Sequence, residues 1–332
     1  MVLQLGLIIT ERCNIHCSHC LSDDVRSKNT ARDMPIDDIC CYIDRAAAIS
    51  AKTNQRLSVS LSGGEPFLCY EKLLEGIRRA NGNGAEKIST VSNGFWGSDE
   101  EYAFRAAAEL KEAGLSLIYF SLDDFHQEYV PLAYVYQAVA ACRQVGLAFG
   151  IKTVVTRKTS RLPEVLSGLG ELLLGLRVIV EEIPCISEGS ARVQIPEEDL
   201  LFKEGIPKDP CTMGMMLVIY PDGSTFPCCA PWNESLYLGN AGDADFDVLY
   251  SKMKDRPLLK ILREKGPHFF VPHFEQVGHS LQPHRYIDNC DLCQRILTHP
   301  AVGQVLPVAI QNWRVDRVRK IMCGSILQEL KI

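Results

Sequence analysis

The stretch "TERCNIHCSHCLSDD" (residues 10–24) puts Cys13, Cys17 and Cys20 within eight positions, directly behind the apolar run "LQLGLIIT" (3–10). With 14 cysteines in 332 residues, a C-x3-C-x2-C pattern arises by chance only about 0.02–0.03 times in such a chain. The intervening Arg12, Asn14, His16, Ser18 and His19 are poor core material. A zinc knuckle wants four ligands, and no fourth cysteine or well-spaced histidine closes this loop locally. Three thiolates at this spacing suit an iron–sulfur cluster with one iron left open, and an open coordination position is what catalysis needs.

The rest of the composition narrows the class. Thirty-five basic residues stand against 41 acidic ones, a net charge of −6 without a long run of either sign. That argues against nucleic-acid backbone as a partner. The N-terminus lacks a basic region, and its apolar run stops at Glu11 and Arg12, too short for a signal peptide or a membrane span. No later stretch reaches about 18 uninterrupted apolar residues, so no membrane association is expected. Without a secretory signal the thiols stay reduced. Clustered cysteines then favour metal over disulfides, and the expected compartment is the cytoplasm.

Up to about residue 185, β-branched runs alternate with helical patterns. Strands are expected at 3–10, 57–62, 87–92, 115–122, 147–156 and 176–183, with helices at 35–50, 69–80, 98–114 and 131–146. Ser98 and Glu101 read as a capping box, and Gly114 and Gly146 stand where helices end. Such alternation implies βαβ units around a parallel sheet. Six units are too few for a closed eight-strand barrel, so the fold class is α/β with a partial (βα)6 barrel. After residue 185 the rhythm breaks. "MMLVIYPDGSTFPCC" reads as a β-hairpin turning at Pro221-Asp222-Gly223, and a basic amphipathic helix is expected from about 308 to 330. The expected domains are 1–205, the barrel, and 206–332, a small α+β unit with the hairpin and C-terminal helices.

A second motif, "SLSGGEP" (60–66), ends the second strand with Gly63, Gly64, Glu65 and Pro66. Paired glycines at a strand end let backbone approach a ligand closely, and a carboxylate can hold an ammonium. Together with the three-cysteine loop, this resembles the radical S-adenosylmethionine (SAM) enzymes. The resemblance implies that Cys13, Cys17 and Cys20 hold a [4Fe–4S] cluster and that SAM chelates its fourth iron. Reductive cleavage of SAM then yields a 5′-deoxyadenosyl radical that takes hydrogen from substrate. It implies that the Gly-Gly-Glu-Pro turn receives the methionyl amino group. The family usually has an aromatic residue before the last cysteine, where this chain has His19. Asn93, Ser121 and Asp123 resemble positions that contact the ribose or carboxylate of SAM, with turn and cap chemistry as the plainer reading of Asn93-Gly94. His126 and Lys152 are candidates to reach substrate, although single polar residues of this kind are more often ordinary surface.

The C-terminal part carries Cys211, Cys228, Cys229, Cys290 and Cys293. This layout resembles a twitch domain, the shortened relative of the SPASM domain, which implies a second, auxiliary [4Fe–4S] cluster. A zinc site with the same ligands is the alternative that spacing leaves open. Neighbouring side chains of an extended segment point to opposite faces, so Cys228 and Cys229 do not both reach one cluster. Cys228 is the expected ligand with Cys211, Cys290 and Cys293. Cys229 is then a packed thiol or the hydrogen donor that quenches a substrate radical. Cys40, Cys41, Cys69, Cys142, Cys185 and Cys323 are expected as small core residues. The resemblance implies modification of a ribosomally synthesised peptide by cross-link, thioether or epimerisation, fed by a one-electron donor such as flavodoxin or ferredoxin. The alternatives are a radical SAM enzyme acting on a small molecule such as an aminoglycoside or nucleoside, and a non-catalytic zinc-binding interaction protein.

Overall fold

The computed structural model describes residues 2–21, 31–212, 215–229, 233–281 and 285–329. Strand β1 (Val2–Thr10) buries Leu3, Leu5, Leu7 and Ile9 on one face. Helix α1 (Ile36–Lys52) covers that face with Ile39, Tyr42, Ile43, Ala46 and Ile49, a two-residue period meeting a helical one. The unit repeats through β2 (Arg56–Gly63), α2 (Tyr70–Gly82), β3 (Lys87–Ser92), α3 (Glu100–Ala113), β4 (Leu117–Ser121), α4 (Leu132–Val145), β5 (Phe149–Val155) and β6 (Ile179–Pro184). Each strand pairs in parallel with the next. All six therefore end on one rim, where α/β folds place their ligands. The partial barrel expected from the alternation is present, with strand limits within about three residues of those read from sequence.

Beyond it lie β7 (Lys203–Glu204), β8 (Met216–Ile219), β9 (Ser224–Phe226), β10 (Gly239–Asn240) and β11 (Arg285–Tyr286), the last pairing with β7. The expected hairpin is β8–β9, turning at Gly223 with φ +80°. Its first strand runs parallel to β1, so the sheet order is β10-β9-β8-β1-β2-β3-β4-β5-β6. Gly6 on β1 makes room for the pairing: a Cβ there would lie 3.0 Å from Met216 Sδ. The residues after β9, Cys228 among them, are thus carried by the same sheet as the N-terminal cysteines.

Three local expectations are corrected. The cap of α3 is Asp99, which accepts from the Tyr102 amide; Ser98 instead closes a 3-10 turn, Phe95–Ser98. That turn follows Gly94 at φ +78° and uses one more residue before the helix begins. The last helix, α6 (Val302–Glu329), starts earlier than expected and contains Pro307. It buries Val305, Ala309 and Trp313, whereas residues 314–323 are exposed on every side, so it is amphipathic only in its first part. Cys323 is consequently exposed rather than core, and Cys40 and Cys41 are half-buried; Cys69, Cys142 and Cys185 are buried as expected. Gly114 and Gly146 end their helices in the left-handed region as read. Among the described residues no helix is long and apolar enough to cross a membrane.

The turn Phe95–Ser98 rests on α4 through Gly97, where a Cβ would overlap the Tyr134 carbonyl and lie 2.8 Å from Ala138 N. Gly97→Ala is expected to cost about 1–3 kcal/mol, read as a lowered midpoint in thermal or denaturant unfolding. An unchanged midpoint would contradict this packing.

Candidate active site and metal centres

The loop after β1 is held from five sides. Gly64 N donates to Thr10 O and Glu65 N to Arg12 O, both at 2.8 Å. Asn93 Nδ2 donates to Asn14 Oδ1 at 2.9 Å, Tyr129 Oη to His16 O at 2.8 Å, and Ser190 N to Cys20 O at 2.9 Å. On the fifth side Asp33 accepts from Thr10 Oγ1 at 2.6 Å and from Arg12 Nε and Nη2 at 2.9 and 2.7 Å. Arg12 Nη2 also reaches Cys69 Sγ at 3.1 Å. Tyr129, Ser190, Asp33 and Arg12 were not singled out in the sequence. They act over separations of 21 to 170 residues along the chain, which local spacing does not show.

Glycine is required in the turn. A Cβ on Gly63 would overlap the Thr10 carbonyl, and one on Gly64 the Arg12 carbonyl. Glu65 is buried, at 1% exposure. Its Oε1 accepts from Phe67 N and Ser92 Oγ at 3.1 and 3.0 Å, and its Oε2 accepts from Asn93 N at 2.7 Å. Burial pushes its carboxyl up to about 7, against those three bonds. Within the chain, then, Glu65 braces the end of β2 against the end of β3, and Pro66 opens the short helical turn that follows.

At the end of β4, Asp123 is 1% exposed and caps a short helix, Asp124–Gln127. It accepts from His126 N at 3.0 Å, from His126 Nδ1 at 2.8 Å and from Val154 N at 3.0 Å. Burial would raise its carboxyl, yet His126, His19 and the Val154 amide hold it below the ordinary range. His19 packs edge-on against His126 with centroids 5.0 Å apart, and burial pushes it down to about 4. Asn93 uses its side chain for the Phe95 amide and for Asn14. Asn93 and Asp123 thus make the turn and cap bonds that were their plainer reading, while Ser121 stays half-buried on the same rim. Lys152 lies 4.4 Å over the Tyr119 ring and pairs with Glu181 at 3.3 Å.

The C-terminal thiols converge from three places. Cys211 N donates to Leu262 O, Cys228 follows β9, and Cys290 and Cys293 lie one turn apart on α5 (Asn289–Thr298), capped by Asp288. Cys293 is raised well above its ordinary value by burial and then by Cys228, Cys211 and Cys290. Cys290 is pushed up to about 12 by burial, Asp288 and then Cys229, Cys211 and Cys228. For Cys229, burial raises the thiol while Lys152 pulls it down.

The donor sets discriminate between metals. Tetrahedral zinc with Zn–S of about 2.3 Å puts its sulfurs about 3.8 Å apart. Among the described residues, the group of three with ligand atoms within 4.8 Å of one another is Cys17, His19 and His126. Cys13, Cys17 and Cys20, and likewise Cys211, Cys228, Cys290 and Cys293, are all-thiol sets, the donor chemistry that iron–sulfur clusters take.

Residues 7–156 match the radical SAM superfamily. Over 297 residues the chain is 23% identical to YydG of Bacillus subtilis (strain 168), named for a role in peptide biosynthesis; this covers 87% of the chain and 90% of YydG. A GTP 3′,8-cyclase of Lactiplantibacillus plantarum is 32% identical over 121 residues, 36% of this chain and 33% of the cyclase. Among solved structures, native anSMEcpe with bound AdoMet aligns at TM-score 0.59 and 17% identity, covering 93% of this chain and 99% of that one. The same protein with bound AdoMet and Cp18Cys peptide aligns at 0.56 and 16%, with the same coverage. At these identities the structures show a shared fold.

Arg12 holds the Asp33 carboxyl well below the usual range, helped by Thr10. A depressed carboxyl contributes stability that is present above its unfolded pKa and is lost as pH falls. Arg12 is 48% exposed and Asp33 25%, so screening limits the effect to about 1 kcal/mol. Asp33→Asn is expected to lose that much at pH 7, the difference shrinking as pH falls below about 4. A deficit independent of pH would assign Asp33 a packing role instead.

Proposed function

The chain is a radical SAM enzyme, and on that premise we propose that its substrate is a ribosomally made peptide, altered by cross-linking, thioether formation or epimerisation. The observation that carries this reading is the similarity to YydG along nearly the whole of both chains. The shared fold with a solved structure that holds bound AdoMet and a peptide supports it, whereas the GTP 3′,8-cyclases match over between 33% and 61% of their length.

When bound, the [4Fe–4S] cluster and SAM supply one-electron chemistry strong enough to remove hydrogen from an unactivated C–H bond. Cys13, Cys17 and Cys20 hold that cluster in this reading, on a loop that the five anchors keep in one position. Gly63 and Gly64 bring backbone against the loop, and Asn93, Ser121 and Asp123 form the rim beside it. Cys211, Cys228, Cys290 and Cys293 hold the auxiliary cluster, served by an external one-electron donor of the flavodoxin or ferredoxin class. The domains are 1–205 and 206–332, joined by the β1–β8 pairing.

Cys229 has a separate role in this reading. It follows Cys228 directly, and its thiol is raised by burial and by Cys211 and lowered by Lys152. The net rise keeps it protonated, the form that can give a hydrogen atom. Its S–H bond breaks as the substrate C–H forms. The sulfur-centred radical left behind takes an electron from the external donor and a proton from solvent.

The test is 5′-deoxyadenosine release under dithionite with three sets of additions: peptides encoded beside the gene, aminoglycosides and nucleosides. Stimulation by a peptide, with that peptide altered in mass or retention, is the expected result; stimulation by a small molecule alone would overturn it. Where the product is an epimer, Cys229→Ser is expected to retain SAM cleavage while epimer falls by about 10²-fold or more. Epimer at the wild-type rate would remove Cys229 from the mechanism.

A further inference from the structure

The group Cys17, His19 and His126 has a geometry that the cluster reading leaves unused. We infer that, before its N-terminal cluster is loaded, the chain binds one zinc-class dication through these three side chains. The ion and the cluster then compete for Cys17.

The ligand atoms lie within 4.8 Å of one another. Metal–sulfur and metal–nitrogen bonds of about 2.3 and 2.0–2.1 Å place such atoms about 3.3–3.8 Å apart, a closure that side-chain rotation supplies. His126 is already oriented. Its Nδ1 donates to Asp123 at 2.8 Å, and Asp123 is fixed by two backbone amides. A carboxylate in this position keeps the ring proton on Nδ1 and leaves the Nε2 lone pair as ligand. His19 supplies an independent sign. Its Nδ1 is buried without a hydrogen-bond partner in the structure, a rare state for a polar atom unless a ligand satisfies it. A phenylalanine or tyrosine at this position would offer no such nitrogen. Cys17 is buried beside the two rings and gives up its thiol proton on binding. One thiolate and two imidazoles form a borderline donor set that suits Zn2+, with the fourth position left to solvent.

The site joins residues that follow two strands separated by β2 and β3 in the sheet: Cys17 and His19 follow β1, and His126 follows β4. A filled ion site takes Cys17 away from Cys13 and Cys20. Zinc-loaded chains are therefore unable to accept the N-terminal cluster, and zinc occupancy sets the fraction of the protein that can be activated.

The test uses the full chain, stripped with chelator and reduced anaerobically, with Co2+ as the probe. Wild type is expected to bind one more equivalent of tetrahedral Co2+ than His126→Ala or His19→Phe, the difference spectrum showing thiolate charge transfer, and His126→Cys is expected to keep that equivalent. With Zn2+ added in excess before reconstitution, wild type is expected to take up about four fewer irons than His19→Phe treated in the same way. His19→Phe places an aromatic residue where the family usually has one, so it keeps the experiment decisive if His126→Ala fails to fold. Equal Co2+ stoichiometry in wild type and His19→Phe, or equal iron uptake by the two after zinc treatment, would overturn the inference.

Discussion

Two backbone hydrogen bonds organise this molecule, from the amides of Gly64 and Glu65 to the carbonyls of Thr10 and Arg12. They carry the pairing of β1 and β2 past the sheet edge and fix the path on which Cys13, Cys17 and Cys20 lie. Such an approach excludes side chains, since a Cβ on either glycine would overlap a carbonyl of the loop. Glu65, braced on Ser92 and Asn93, transmits the same position to β3. The two motifs are thus one structural object, although 43 residues separate Cys20 from Gly63.

The second centre depends on the same strand. β8 pairs with β1 and hands the chain to β9, which ends two residues before Cys228. Cys211 and α5 then bring the remaining thiols to that point. A segment late in the sequence is therefore registered against the N-terminal loop by sheet hydrogen bonds rather than by a flexible linker. Both members of the adjacent pair feel the C-terminal thiols: Cys228 raises Cys293, and Cys229 raises Cys290 while Lys152 lowers Cys229 itself.

Strands and long helices were legible in the sequence because burial writes a period of two or of 3.6 residues into the chain. The three-cysteine loop and the Gly-Gly-Glu-Pro turn were legible because local spacing holds their chemistry. What could not be read is what acts across long separations. The bond from Tyr129 to His16 spans 113 residues, and the His19–His126 contact is made only when β1 and β4 close around the barrel. The Ser98 cap failed because the 3-10 turn after Gly94 consumes one extra residue. The amphipathic reading of α6 failed beyond Trp313, where the helix outruns the surface it packs on.

The central claim is that one sheet carries two iron–sulfur centres, and an anaerobic iron and sulfide count tests it most directly. Wild type is compared with a variant in which Cys13, Cys17 and Cys20 are all alanine. About eight irons with matching sulfide in wild type, and about four in the variant, are predicted. About one zinc without iron in wild type, or an iron count that the triple substitution leaves unchanged, would contradict the account.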